Sequence, residues 1–180
     1  THTAPWQLQP EQCRSRHSRA HPPAATVRVM SKALLLIDLQ NDYFPGGAFP
    51  LWDVERVVAN VEAAVARARA SGMHVIHVQH VADPKMGLSP FFNVGTPGVE
   101  IHARVRAAAP DAPVVTKAFA DAFHETKLAA TLRELGAREL LLAGMMTQNC
   151  VTHTAISKAA EAFDVTVLPD ACTTVSEMLH

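Results

Sequence analysis

What most constrains the fold of this chain is a repeated alternation of short apolar runs with amphipathic stretches. Ala33–Asp38 reads ALLLID, too short for a helix before the turn-rich FPGG and too uniformly apolar for a half-exposed strand. Such a run predicts a strand buried on both faces. Asp53–Ala70 then places Val54, Val57, Val58, Val61, Val65 and Ala68 at helical spacing, and Ser71-Gly72 ends it where glycine commonly closes a helix. Further strands are expected at His74–Gln79, Val114–Lys117, Glu139–Ala143 and Val165–Leu168. Helices are expected between them, to about Ala109 after a Pro- and Gly-rich loop over 84–98, over Thr126–Leu135 and over Gln148–Ala162. Five β segments separated by helices predict a parallel sheet with helices on both faces.

A chain of 180 residues with 48% apolar and 18% charged content is sized for one folded core. Residues 1–30 mix Pro, Gln, Arg and His without either period, so they read as a tail or extension, and 31–180 as the domain. Thr174–His180 resembles the first turns of a helix cut short. A net charge of −1 with both signs interspersed gives no footprint for nucleic acid or an anionic membrane. Cys13, Cys150 and Cys172 are widely spaced and odd in number, which suggests neither a disulfide framework nor a structural metal and fits a reducing cytoplasm. Neither a membrane-length apolar run nor the apolar centre of a signal peptide is apparent.

In open parallel sheets ligands bind beyond the carboxyl ends of the strands. Three polar residues stand there: Asp38 closes ALLLID, Lys117 closes VVTK, and Cys150 follows ELLLAGMMTQN at the expected start of a helix. Each has an ordinary reading on its own, as a turn or capping carboxylate, a solvated lysine and an inert core thiol. Their joint placement on one rim points instead to a reactive thiol. A helix N-terminus and a neighbouring lysine would both favour its thiolate.

The stretches IDLQNDYF, VVTKAFADAF and GMMTQNCVTHTA, in that order, resemble the isochorismatase-like cysteine hydrolases, and the resemblance covers residue 33 to the end. It implies a doubly wound, Rossmann-like three-layer α/β/α sandwich with a mostly parallel sheet. It also implies hydrolysis of a small amide, ureide or lactam-type C–N bond through a thioester, with Asp38, Lys117 and Cys150 as the catalytic triad. A non-proline cis peptide between Met145 and Met146 would turn the N–H of Met146, with that of Cys150, toward an oxyanion. Tyr43 matches an aromatic that lines the family pocket, and Phe44, Phe91, Phe92 and Gln148 are the further substrate-binding candidates. Gln148 stands where many members have Asp. The partner implied is a small-molecule amide, with no cofactor, and oligomers are common in the family.

Rival constellations are weaker. His153, three residues beyond Cys150, would have to reach back beside the sulfur to serve as its base. His74, His77 and His80 suggest a metal cluster, yet on a strand His77 points away from the other two. Nicotinamidases in the family hold a metal through an Asp-x-His stretch that is absent from HVQHVADPKM, leaving His80 and Asp83 as a weak pair. No metal is therefore expected. Gly46-Gly47 lacks the surroundings of a phosphate cradle, and Asn41 and Asp42 read as loop-bracing residues. The alternatives left open are a catalytically silent binding or scaffold member, a nicotinamidase, and a redox-reactive thiol with Cys172 as its partner.

Overall fold

The computed structural model describes residues 31–180; the expected tail over 1–30 and Cys13 lie outside the described residues. Five strands, β1 (Ser31–Ile37), β2 (His74–His80), β3 (Val114–Lys117), β4 (Ala137–Met145) and β5 (Asp164–Thr173), form one sheet in the order β3-β2-β1-β4-β5. Every pairing is parallel. Helices α1 (Val54–Ala70), α2 (Ala103–Ala108), α3 (Leu128–Glu134) and α4 (Thr152–Ala155) connect them.

The uniform hydrophobicity of β1 follows from its position. Leu34 and Leu36 enter one core cluster, with the valines of α1 and with Val105 of α2. Ala33, Leu35 and Ile37 enter the other, with Leu128 and Leu132 of α3 and with Val151. A central strand alternating between two cores has no solvent face, and each buried valine of α1 contributes about 1.5–3 kcal/mol. The expected sandwich of helix, sheet and helix is thus the architecture found.

Three expectations of extent are corrected. The helix over Gln148–Ala162 is broken into a π turn (Thr147–Val151), the single turn α4, and a 3-10 segment at Lys158–Ala162. The break is built by side chains: Thr154 Oγ1 accepts from Ala122 N at 3.0 Å, and Ser157 Oγ donates to Asp121 Oδ2 at 2.7 Å while accepting from Ala159 N. β-Branched residues through this stretch lower the helical preference further. β5 runs past Leu168 because Pro169 sits on an edge strand, where the register shifts between Leu142↔Val167 and Gly144↔Cys172. An edge strand can bulge around a residue that has no N–H to donate. Thr174–His180 forms only a 3-10 turn at Glu177–Leu179. Among the described residues, no helix is long and apolar enough to cross a membrane.

Candidate active site

Strand order reverses beside β1, whose two neighbours, β2 and β4, carry the chain in opposite directions across the sheet. The crevice at such a switch point is where open α/β sheets bind ligands. Asp38 leaves β1 there with φ of 53°, a left-handed conformation that costs a non-glycine residue about 1–3 kcal/mol and concentrates at functional sites. Next to it, Gly144 on β4 has φ of +134°, and a Cβ at that position would lie 2.0 Å from the carbonyl oxygen of Ile37. Only glycine lets the two central strands approach this closely.

Lys117 ties the strand ends together. Its Nζ donates to Asp38 Oδ2 at 2.8 Å, to His80 Nδ1 at 3.0 Å and to the Phe119 carbonyl at 3.0 Å, and stands 3.3 Å from Cys150 Sγ. The side chains of Lys117 and Asp38 are both 0% exposed. The three residues expected to form the triad are thus brought together. His80 is the member that sequence reasoning missed, although it closes β2 and pairs in register with Lys117. The criterion that selected Asp38 and Lys117, a polar residue at a strand's carboxyl end, selects it as well.

Electrostatics correct one expectation. Cys150 is buried in the π turn rather than presented at the first turn of a long helix. Burial pushes its thiol well above the ordinary range, the Asp38 carboxylate adds to that, and Lys117 opposes it without prevailing. The resting group is therefore a thiol that needs a base. Asp38 is placed to be one: its Oδ1 is buried and has no hydrogen-bond partner among the described residues. The peptide between Met145 and Met146 is cis, as expected.

Asp42 braces the entrance. Its Oδ1 accepts from Ala48 N at 3.1 Å and its Oδ2 from Phe92 N at 2.6 Å, joining the loop after β1 to the loop after β2. Gly98 packs directly on this carboxylate, since a Cβ there would come within 1.9 Å of Oδ1. The clasp seats Phe92 against Tyr43, edge to face with ring centroids 4.6 Å apart, and Phe91 lies 5.2 Å from Tyr43. Tyr43 is fully buried, its hydroxyl has no partner among the described residues, and its ionisation is pushed upward by burial, then by Asp38, Cys150 and Asp42.

The remaining candidates lie apart from this cluster. Phe44 is stacked on His102 at 3.9 Å, and Gln148 is exposed on the π turn. His153 is exposed, with its Nδ1 2.8 Å from the Asn149 carbonyl, and His77 is buried against the Ala109 carbonyl. Asp83 caps Lys85 N. Asp38, His80 and Cys150 offer metal-ligand atoms within 4.8 Å of one another, but the ammonium of Lys117 already stands bonded among them. Beside His80 opens a cleft of ≈ 380 Å³, rimmed by Met86, Leu88 and Phe119.

Topology and site together define a doubly wound parallel α/β protein with a buried Asp–Lys–Cys cluster at its switch point. The chain belongs to the isochorismatase family of hydrolases, whose Isochorismatase domain matches residues 32–180. It is 37% identical over 147 residues to the isochorismatase family protein YddQ of Bacillus subtilis (strain 168), covering 82% of this chain and 80% of that one. Over 151 residues it is 34% identical to a streptothricin hydrolase of Streptomyces noursei, covering 83% of this chain and 57% of that longer relative. Among solved structures, an isochorismatase family protein from Desulfovibrio vulgaris superposes with a TM-score of 0.74 at 30% identity, covering 83% of this chain and 85% of the other.

Proposed function

We propose that this protein hydrolyses a C–N bond of a small amide or ureide through a thioester on Cys150. The observation that carries the reading is the Lys117 ammonium, bonded to the Asp38 carboxylate and 3.3 Å from the Cys150 sulfur, with all three groups buried. A buried thiol raised in pKa does not ionise unaided, so Asp38 takes its proton as the sulfur attacks the carbonyl carbon. Lys117 holds the carboxylate in place and offsets the charge that develops on sulfur. The backbone N–H groups of Met146 and Cys150 are the donors assigned to the oxyanion, an interaction worth roughly 2.7–4 kcal/mol per donor elsewhere. Collapse breaks the C–N bond, and the amine leaves with the proton held by Asp38. Water, deprotonated by Asp38, then attacks the thioester carbon; the carboxylic acid departs and the sulfur recovers its proton.

A relative named maleamate amidohydrolase supports the choice of an amide-type bond. Leu88 and Phe119, which line the cleft beside His80, would form an apolar wall against which a compact, flat substrate packs. An ammonia-release screen over nicotinamide, ureidoacrylate, biuret and carbamoyl amino acids tests the reading. Turnover by the native protein and none by Cys150→Ala is the expected result. Retained turnover in that variant rejects Cys150 as the nucleophile, while rapid thiol labelling without any hydrolysis favours a silent or redox role.

A further inference from the structure

Lys117 has three N–H bonds and four neighbours, and because its ammonium has no lone pair it sets the tautomer of His80. An ammonium donates and cannot accept, so the 3.0 Å contact requires Nδ1 of His80 to be the acceptor. The ring proton of the neutral imidazole is then on Nε2. That nitrogen is bonded to no protein group among the described residues and is not buried, and His80 lines the ≈ 380 Å³ cleft. Lys117 thereby orients a histidine so that it offers one fixed donor to whatever enters. Asp38 Oδ2, His80 Nδ1, the Phe119 carbonyl and Cys150 Sγ already share the three Lys117 hydrogens, leaving none to spare for a substrate.

The rest of the cleft sets the charge of the ligand. Met86, Leu88 and Phe119 make its rim apolar, Met86 and Leu88 being 87% and 96% exposed. Among the described residues, Asp83 is the one carboxylate in the lining, and neither lysine nor arginine lies there. The buried lysine nearby is balanced by Asp38. An anionic ligand would find no counter-charge and one like charge, whereas a neutral acceptor would find the His80 N–H. A ring nitrogen of His80 lies within 4.8 Å of the Cys150 sulfur, and since both nitrogens belong to one five-membered ring, a donor on Nε2 stands within a few bond lengths of the nucleophile. An acceptor only a few bonds from the scissile carbon reaches both.

We infer that His80 determines specificity, donating from Nε2 to a second carbonyl of the substrate, which is an uncharged amide with two carbonyl groups in close sequence, as in a ureide, imide or malonamide. This inference rests on the amide-hydrolase reading and narrows it.

Three probes matched in size isolate the effect: malonamide with a neutral second acceptor, malonamate with an anionic one, and isovaleramide with an isopropyl group in its place. Binding is measured in a Cys150→Ala background, which separates recognition from turnover, and kinetics are measured with Cys150 present. His80→Asn keeps an acceptor for Lys117 but loses the cleft donor, whereas His80→Gln places a donor near the lost Nε2. The expected pattern is about a tenfold loss of malonamide affinity in His80→Asn, the scale of one hydrogen bond. Isovaleramide should change less than about twofold, and His80→Gln should recover most of the malonamide loss, since the loss is one of donor alone. Malonamate should bind more weakly than malonamide. An equal effect of His80→Asn on malonamide and isovaleramide, no effect on either, or no measurable malonamide binding overturns the assignment. Malonamide preference without turnover by the native protein leaves the His80 assignment standing and rejects the hydrolase reading instead.

Discussion

Removing the charge on Lys117 is expected to destabilise the fold far more than removing the charge on its partner, and removing both should cost less than removing the lysine alone. In Lys117→Met the Asp38 carboxylate loses the donor to Oδ2, while Oδ1 already has none, so a buried anion is left without a hydrogen bond from the described residues. Breaking a fully buried pair in this way costs about 3–5 kcal/mol. In Asp38→Asn the ammonium keeps His80 Nδ1 and the Phe119 carbonyl, so the loss is nearer that of one charged hydrogen bond, about 1.5–3 kcal/mol. The double variant carries neither stranded charge and should recover about 2 kcal/mol or more relative to Lys117→Met. Urea unfolding followed by circular dichroism measures all four proteins, with equal slopes certifying comparable unfolded states. A loss below about 1 kcal/mol in Lys117→Met, or a double variant whose loss is the sum of the single losses, would refute the burial and pairing on which the site rests.

Two further outcomes follow from the buried thiols. Because burial and Asp38 raise the Cys150 thiol, its alkylation by iodoacetamide at neutral pH should be slower in the folded protein than in urea and should rise toward alkaline pH. Faster labelling in the fold, mapped by mass spectrometry, would contradict a resting thiol. Burial pushes Cys172 up to about 11, partly opposed by a hydrogen bond from Gly144, so an unfolded chain ionises this thiol first. Folding stability should then fall between about pH 8.5 and pH 11 by up to roughly 1.4 kcal/mol per pH unit from this group, with Cys150 acting in the same direction. Cys172→Ala should flatten that decline in a pH series of unfolding curves; an unchanged slope would be inconsistent with the shift.

Much of this molecule is legible in its sequence, for identifiable reasons. β1 and α1 are long runs with a clear period, and the core simply accepts the faces the period presents. Asp38, Lys117 and Cys150 were found by placement at strand ends, and the topology brings them together through pairings between strands far apart in sequence. What escaped depends on contacts between segments. The π turn around Cys150 reflects Thr154 and Ser157 bonding to the segment after β3, which no local propensity records. In sequence His80 reads as part of a His74, His77 and His80 cluster or as a weak pair with Asp83, whereas its partner is Lys117 on the adjacent strand. Likewise the raised thiol of Cys150 follows from depth of burial, while the sequence displays only the favourable neighbours, lysine and helix start.

The thioester on Cys150 is tested most directly by partitioning. An amide substrate and the methyl ester of the same acid are hydrolysed by the native protein in the presence of hydroxylamine, and the ratio of hydroxamate to free acid is measured for each. A common acyl group on Cys150 requires the same ratio from both, at every hydroxylamine concentration, because the leaving group has gone before the nucleophiles compete. Ratios that differ between amide and ester, or hydroxamate formation that persists in Cys150→Ala, would contradict it.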